Sequence, residues 1–338
     1  MKLDTGLQWR DMHEIAGVAK SAEQAGFDAL WTADSGSDAL LPVALAAVST
    51  ERIKLGTAVV LAFPRSPMVT AYISWDLARA SKGRFMLGLG TQVKGHIERR
   101  FSTPWLPPVA RMREYIESLR AIFKCWSEGG RKLSYQGKYY NFSLMTPAFT
   151  PAPHDYPNIP IYTSGLNKHM CQLAGELCDG LHIHPFHTPK YLRESVMPNV
   201  EAGLKKGGRQ RKDISLASLA FVIVGRNDEE IHNVREAARR QIAFYGSTRT
   251  YKPVFDAHGW GDLTMRLNEK TAKGDWAGMP KEITDDMLEV FTVSGTYDNI
   301  AAKVKANYEG LLDRVAFYFP YRPADDDQWR KVTRAFNG

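Results

Sequence analysis

Short runs of consecutive apolar residues alternate along this chain with longer stretches whose apolar positions recur every three to four residues. The runs are FDALWTAD (27–34), IKLGTAVVLA (53–62), RFMLGLGT (84–91), IPIYTSG (159–165), DGLHIHPF (179–186), ISLASLAFVIVG (214–225) and RVAFYFP (314–320), with a weaker eighth, LDTGL, at 3–7. Uninterrupted apolar runs suit strands buried on both faces, and strands separated by helices imply right-handed parallel crossovers. Eight such units predict an α/β protein built as a (β/α)8, or TIM, barrel. Nearly every run ends in a small or polar cluster, and in such a barrel the C-terminal strand ends carry the chemistry.

The intervening stretches read as helices at 11–25, 109–127, 167–178, 189–206, 228–245 and 296–309, with a closing helix near 325–336. The first presents Ile15, Val18, Ala19, Ala22 and Ala25 on one face, and Gly26 stops it. KLSYQGKYYNFS (132–143) reads as a β-hairpin at the rim. Two stretches fit no regular unit: 92–108, with three prolines, and 246–292, with five glycines, two prolines and two tryptophans. Both are too long for ordinary barrel loops, so we expect one domain over 1–338 with these two insertions over the barrel mouth, the second partly helical.

Composition narrows the class. A 338-residue chain that is 44% hydrophobic can bury one large core. Its longest apolar stretch, 214–225, falls short of the roughly 20 residues a membrane span needs. MKLDTGLQWRD carries charge where a secretion signal is apolar, so we expect a cytoplasmic protein without membrane contact. Cys125, Cys171 and Cys178 form no CxxC pair and read as buried small hydrophobes. The net charge of +7 gathers in KGHIERR (94–100), KKGGRQRK (205–212) and REAARR (235–240). No nucleic-acid motif accompanies them, and nucleic acid is not an expected partner. The last two clusters read as solvated faces; the first follows a strand end and fits a small polyanionic ligand.

Four strand ends offer chemistry. Gly88-Leu89-Gly90-Thr91-Gln92-Val93 begins like a dinucleotide fingerprint, but it lacks the third glycine. Its glycines let either a flat ligand or a neighbouring strand approach the backbone. Ser164-Gly165-Leu166-Asn167 leads into a helix, so backbone N–H groups there either seat an anion or are capped. His182 and His184 alternate on one strand, with His187 beyond. A ligand-facing role, a core role and metal binding all fit histidines there, although no other strand end supplies a clear carboxylate–histidine set, and no metal is expected. Asp34 ends the second strand, placed to orient a ligand, to act as acid or base, or to cap the next helix.

AEQAGFDALWTAD (22–34), IKLGTAVVLAFPRSP (53–67), SKGRFMLGLGTQ (81–92) and PIYTSGLNKHMCQLAGELCDGLHIHPF (160–186) resemble, in that order, the bacterial luciferase-like monooxygenase superfamily. The likeness covers essentially the whole chain. GTAVV…PRSP and LGLGTQVKGHIERRF look most like the branch that uses the deazaflavin coenzyme F420. The resemblance implies a barrel that holds a flavin or deazaflavin at its mouth. The ring would rest on a bulge with a non-prolyl cis peptide, here at Ala58, Val59 and Val60. Further implied contacts are Asp34, then Thr91, Gln92 and Val93, then Ser164, Gly165, Leu166 and Asn167 at the phosphate, with His184 and His187 adding contacts to phosphate or tail. A homodimer is implied as well.

One departure stands out. Sugar-phosphate dehydrogenases of that branch place a glutamate at the fourth strand end and a His–Trp pair after the second. Gln92-Val93 and Ser35 stand in those places here, so a glucose-6-phosphate activity is not expected. Asp34, His96 and His184 are then the candidates for acid–base work, and Asp34 and His184 are the expected catalytic residues. The resemblance implies F420-dependent hydride transfer to or from a small organic substrate, since the deazaflavin lacks the N5 nitrogen through which a flavin meets oxygen. The alternatives are an FMN-dependent two-component monooxygenase and a non-catalytic flavin-binding barrel. Trp105, Tyr139, Tyr140, Phe142, Trp260 and Trp276 fit a lid for a bulky apolar substrate, and equally a dimer contact.

Overall fold

The computed structural model describes residues 1–130 and 132–337. Its strands in chain order are β1 (Lys2–Gly6), β2 (Ala29–Thr32), β3 (Lys54–Thr57), β4 (Val60–Leu61), β5 (Phe85–Gly90), the hairpin pair β6 (Tyr135–Gln136) and β7 (Asn141–Phe142), β8 (Ile161–Gly165), β9 (Gly180–Ile183), β10 (Ser215–Val224), β11 (Thr292–Gly295) and β12 (Arg314–Phe317). The main sheet runs β12-β1-β2-β3-β5-β8-β9-β10, and β10 returns to β12. The protein is a (β/α)8 TIM barrel of eight parallel strands surrounded by helices, as the apolar runs predict.

Residues Asp4–His182 and Asn199–Ser215 form one compact unit. Burial of Leu30, Leu55, Leu87, Leu89, Ile161 and Leu181 explains why these strands read as continuous apolar runs. Strand three is not continuous, however. The expected run 53–62 splits into β3, paired with β2 and β5, and β4, paired with β5 through Val60–Leu89 and Leu61–Gly90. Ala58 and Val59 lie between the two pieces, joined by a cis peptide. Helix Pro67–Ala80 then starts on Ser66, whose hydroxyl accepts from Met68 N–H, with Pro67 at the first helical position.

Residues Met1–Leu3, Ile183–Pro198 and Leu216–Gly338 form a second unit. Here ten-residue β10 pairs with β12 over Ala217–Ala220 and with β11 over Phe221–Val224. The sequence missed β11, a strand of only four residues (TVSG). The stretch before it, expected to be partly helical, carries the helices Lys252–Asp256, Gly261–Ala272 and Asp285–Phe291. The expected helix at 189–206 is three pieces, Pro189–Tyr191, a π-helical turn Leu192–Val196 and Met197–Lys206. Pro198 at the last junction has no N–H to extend the α ladder. All three cysteines are buried and free, as expected. Among the described residues no helix is long and apolar enough to cross a membrane.

Candidate functional site

Asp34 follows β2, and its carboxylate is fully engaged. Oδ2 accepts from Leu61 N–H (2.8 Å) and pairs with Arg65 Nη1 (2.6 Å). Oδ1 accepts from Ala39 N–H (2.9 Å). The same guanidinium reaches Asp38 Oδ2 at 2.7 Å, while Asp38 Oδ1 takes the Leu40 N–H at the start of helix Leu40–Ser49. Asp34 N–H donates to Val59 O (3.0 Å) and Ala58 N–H to Thr32 O (2.6 Å). The Asp34 side chain is 8% exposed and Arg65 20%. An ion pair of this burial, satisfied on both oxygens, fixes geometry. Through these bonds Asp34 ties β2, the 58–59 bulge and the next helix together.

The glycines of β5 hold neighbouring strands together as well. A Cβ at Gly88 would overlap the carbonyl oxygen of Thr57 and stand 3.0 Å from the His182 ring. One at Gly90 would overlap Val59 Cγ2 and lie 3.4 Å from Ser164 Oγ. Thr57 Oγ1 locks this approach, donating to Gly88 O (2.8 Å) and accepting from Gly88 N–H (2.9 Å). These glycines make room for neighbouring strands first, so of the two readings open in the sequence, close strand packing accounts for them. In doing so they bring the bulge, the end of β5 and the end of β8 side by side.

Beyond that packing the strand ends offer main chain. Gln92 takes a left-handed conformation (φ 55°), and its Oε1 accepts from Val93 N–H at 2.9 Å, opening the short helix Lys94–Arg99. Thr91 Oγ1 donates to Gln92 O. Parallel pairing of Leu87–Leu89 with Ile161–Thr163 sets Ser164 and Gly165 next to Gly90. Leu166 is buried, and Asn167 stands at the N-cap of helix Lys168–Leu177 with extended backbone and no side-chain capping bond. Lys168 and His169 are exposed on the first turn. Ala58, Val59, Val60, Thr91, Gln92, Val93, Ser164, Gly165, Leu166 and Asn167 thus lie on three neighbouring strand ends, among them ten of the residues expected at a cofactor.

Residues 2–314 match the luciferase-like monooxygenase family. The chain belongs to that family. An uncharacterized protein of Mycobacterium tuberculosis is 42% identical over 315 residues, 93% of this chain and 92% of that one. The 5,10-methylenetetrahydromethanopterin reductase of Archaeoglobus fulgidus is 32% identical, covering 92% of this chain and 91% of the relative. Among solved structures, the coenzyme F420 dependent tetrahydromethanopterin reductase from Methanopyrus kandleri superposes with a TM-score of 0.79 at 22% identity, covering 99% of this chain and 98% of that one. An EDTA monooxygenase from Chelativorans superposes at 0.72 and 14% identity, covering 99% and 93%. At such identities the structural likenesses speak for the luciferase-like fold alone.

The histidines divide. His182, at the end of the first unit's sequence, is a core residue: its ring packs edge-on against Trp31 (4.6 Å between centroids) and beside Tyr162 (5.0 Å). His187, in the second unit, is 1% exposed with Nε2 2.8 Å from Ser218 Oγ. Burial pushes its pKa down to about 3, so it is neutral and enclosed, and the expected ligand contact is corrected to a core role. His184 is only half-buried, directly after β9. Phe186 N–H donates to its Nδ1 (3.2 Å), and its ring lies 4.3 Å from Tyr251 and 4.7 Å from Tyr245. His96 is exposed on the Lys94–Arg99 helix.

Two groups escaped the sequence reading. Arg65 sat within the quoted PRSP stretch without a role, although a basic residue four positions after an apolar strand and near two aspartates was a usable signal. Tyr245 and Tyr318 left none, because only tertiary packing brings their hydroxyls to 2.8 Å. Of the aromatic lid residues, Tyr140 is fixed by Arg111 Nε (2.9 Å), whose guanidinium also stacks over Phe63 and donates to Phe63 O. Trp276 is exposed.

Proposed function

We propose that this luciferase-like barrel is an F420-dependent oxidoreductase that moves a hydride between the deazaflavin coenzyme and a small organic substrate. The observation that carries the reading is the convergence of three strand ends, 58–60, 91–93 and 164–167, on one stretch of sheet. The reductase relative at 32% identity supports it, as does the F420 named for the methanopterin reductase of the same fold. The coenzyme would supply a hydride-carrying ring that reacts poorly with oxygen.

The residues present fit such a group. Val59 and Ser164 crowd the space beside Gly90, so small side chains and main chain pack closely at these strand ends, where a flat ring would rest. The open N-terminus of helix Lys168–Leu177, with Lys168 and His169, would hold a phosphate through backbone N–H groups. Lys94, Arg99 and Arg100 would meet an acidic tail; Arg100 already donates to Ser35 O at 3.1 Å. Asp34 and Arg65 keep the bulge in place, and in this reading they take no proton.

We read the protein as a cytoplasmic homodimer. Leu41 and Val48 on helix Leu40–Ser49 and Val69 on helix Pro67–Ala80 are exposed apolar side chains, which a second copy would cover. The function is tested by mixing the protein with reduced F420 under anaerobic conditions and screening ketones, imines and activated alkenes. Substrate-dependent return of the oxidised coenzyme's absorbance is expected. No oxidation with any substrate, together with oxygen-dependent turnover of reduced FMN, would replace this reading with the monooxygenase.

A further inference from the structure

The second unit carries a cluster that the proposed cofactor contacts leave unused. His184 follows the last residue of β9 and Tyr318 the last residue of β12, so both stand at C-terminal strand ends, where barrel chemistry is found. Tyr245, from helix Asp228–Gly246, and Tyr251, from the turn beyond, pack against the His184 ring at 4.7 and 4.3 Å. Tyr245 and Tyr318 join their hydroxyls at 2.8 Å. Beneath them Phe186 is fully buried, stacked on Phe291, while His184, Tyr245, Tyr251 and Tyr318 are each only half-buried. The cluster is therefore a wall with one dry side and one reachable side.

Its polar atoms have fixed roles. Nδ1 of His184 accepts a hydrogen bond from Phe186 N–H, which a protonated ring cannot do. The ring is thus neutral with its hydrogen on Nε2, and burial, which lowers its pKa to about 4, keeps it so at neutral pH. Among the described residues no group accepts from Nε2. In the tyrosine pair one hydroxyl donates to the other, and with the Gln241 amide donating to Tyr245 one phenol O–H is still left for a further partner. Burial raises the pKa of both phenols, and they stay protonated. The wall offers two neutral donors set among aromatic faces, with no charged side chain among the four.

We infer that His184, Tyr245, Tyr251 and Tyr318 form a seat for a flat, uncharged organic molecule that carries a hydrogen-bond-accepting oxygen. The seat needs none of the proposed cofactor contacts, all of which lie in the other unit. Aromatic faces select a plane, neutral N–H and O–H donors select a carbonyl or ether oxygen, and the missing cation leaves carboxylates and phosphates unfavoured.

The test uses three probes on the full-length protein by titration calorimetry: 2-acetylnaphthalene, 2-ethylnaphthalene, which keeps the plane without the oxygen, and cyclohexyl methyl ketone, which keeps the oxygen without the plane. 2-Acetylnaphthalene is expected to bind at least fivefold more tightly than either. Tyr245→Phe combined with Tyr318→Phe, and separately His184→Phe, are expected to abolish the preference over 2-ethylnaphthalene while leaving 2-ethylnaphthalene affinity within twofold. That retained affinity also reports that the variants fold. Equal affinities for all three probes, or an oxygen preference that survives in both variants, would overturn the seat. A parallel F420 titration separates the two readings. Probe discrimination without F420 binding sinks the proposed function and leaves the seat; F420 binding without discrimination does the reverse.

Discussion

The strand ends around Asp34 and those around His184 solve different problems with different chemistry. In the first unit a charged knot, Asp34 with Arg65 and Asp38, is satisfied internally, and glycines let the backbones of β3, β4 and β5 close up. What remains for a ligand there is main chain: the bulge at 58–60, the turn at 91–93 and the helix start at 167–168. In the second unit the side chains are neutral and aromatic, and their hydrogen-bonding edges are incompletely used. The contrast teaches that a conspicuous charged residue at a strand end can be wholly taken up by its neighbours. Both oxygens of the aspartate have partners, while the half-buried histidine keeps a donor in reserve.

The largest expected effect breaks the first region alone. Gly88→Ala places a methyl on the Thr57 carbonyl, a backbone atom that cannot swing away, and should cost about 3 kcal/mol or more of stability in urea unfolding. Wild-type stability in that variant would show that the strands are not packed through the glycine. Asp34→Asn comes next. It leaves Arg65 half-buried with only Asp38 and loosens the bulge, for a loss of about 2–3 kcal/mol. F420 affinity should fall with it, whereas the affinity for planar ketones of the second unit should not.

The second region is separated by pH. His184 titrates near 4 in the fold against 6.5 in the unfolded chain, so below 6.5 the unfolded state binds the extra proton. Stability conferred by keeping this ring neutral is complete above pH 6.5 and declines as pH falls toward 4. The loss is about 2 kcal/mol at pH 4.5. Buried His187 acts in the same direction, so the informative quantity is the difference between wild type and His184→Gln, whose acid decline should be shallower by that amount. An unchanged decline would mean that His184 is solvated. The smallest effect concerns the rim: Tyr140→Phe removes the bond to Arg111 Nε and should cost about 1 kcal/mol. A larger loss would show that the hairpin is held mainly at that point.

The barrel was readable because parallel strands buried on both faces leave unbroken apolar runs such as MLGLG and LAFVIV, and a count of those runs is nearly a count of strands. Strand β11 was not readable, because TVSG is short and its pairing partner lies some seventy residues away on β10. The bulge was placed at Ala58–Val60 by resemblance and not by any property of AVV itself. The candidate residues were legible as a set of neighbouring strand ends, which follows from topology. Their division of labour was not. Whether a glycine makes room for a ligand or for Val59, or whether a histidine faces out like His184 or in like His187, depends on contacts between residues far apart in sequence.

The central claim is that the ends of β4, β5 and β8 hold a deazaflavin. Equilibrium titration of the protein with oxidised F420 and with FMN, side by side at low ionic strength, tests it most directly. The account predicts saturable F420 binding at least tenfold tighter than FMN, weakened by salt as the cationic contacts at Lys94, Arg99 and Lys168 require. Tight FMN binding with no measurable affinity for F420 would contradict it.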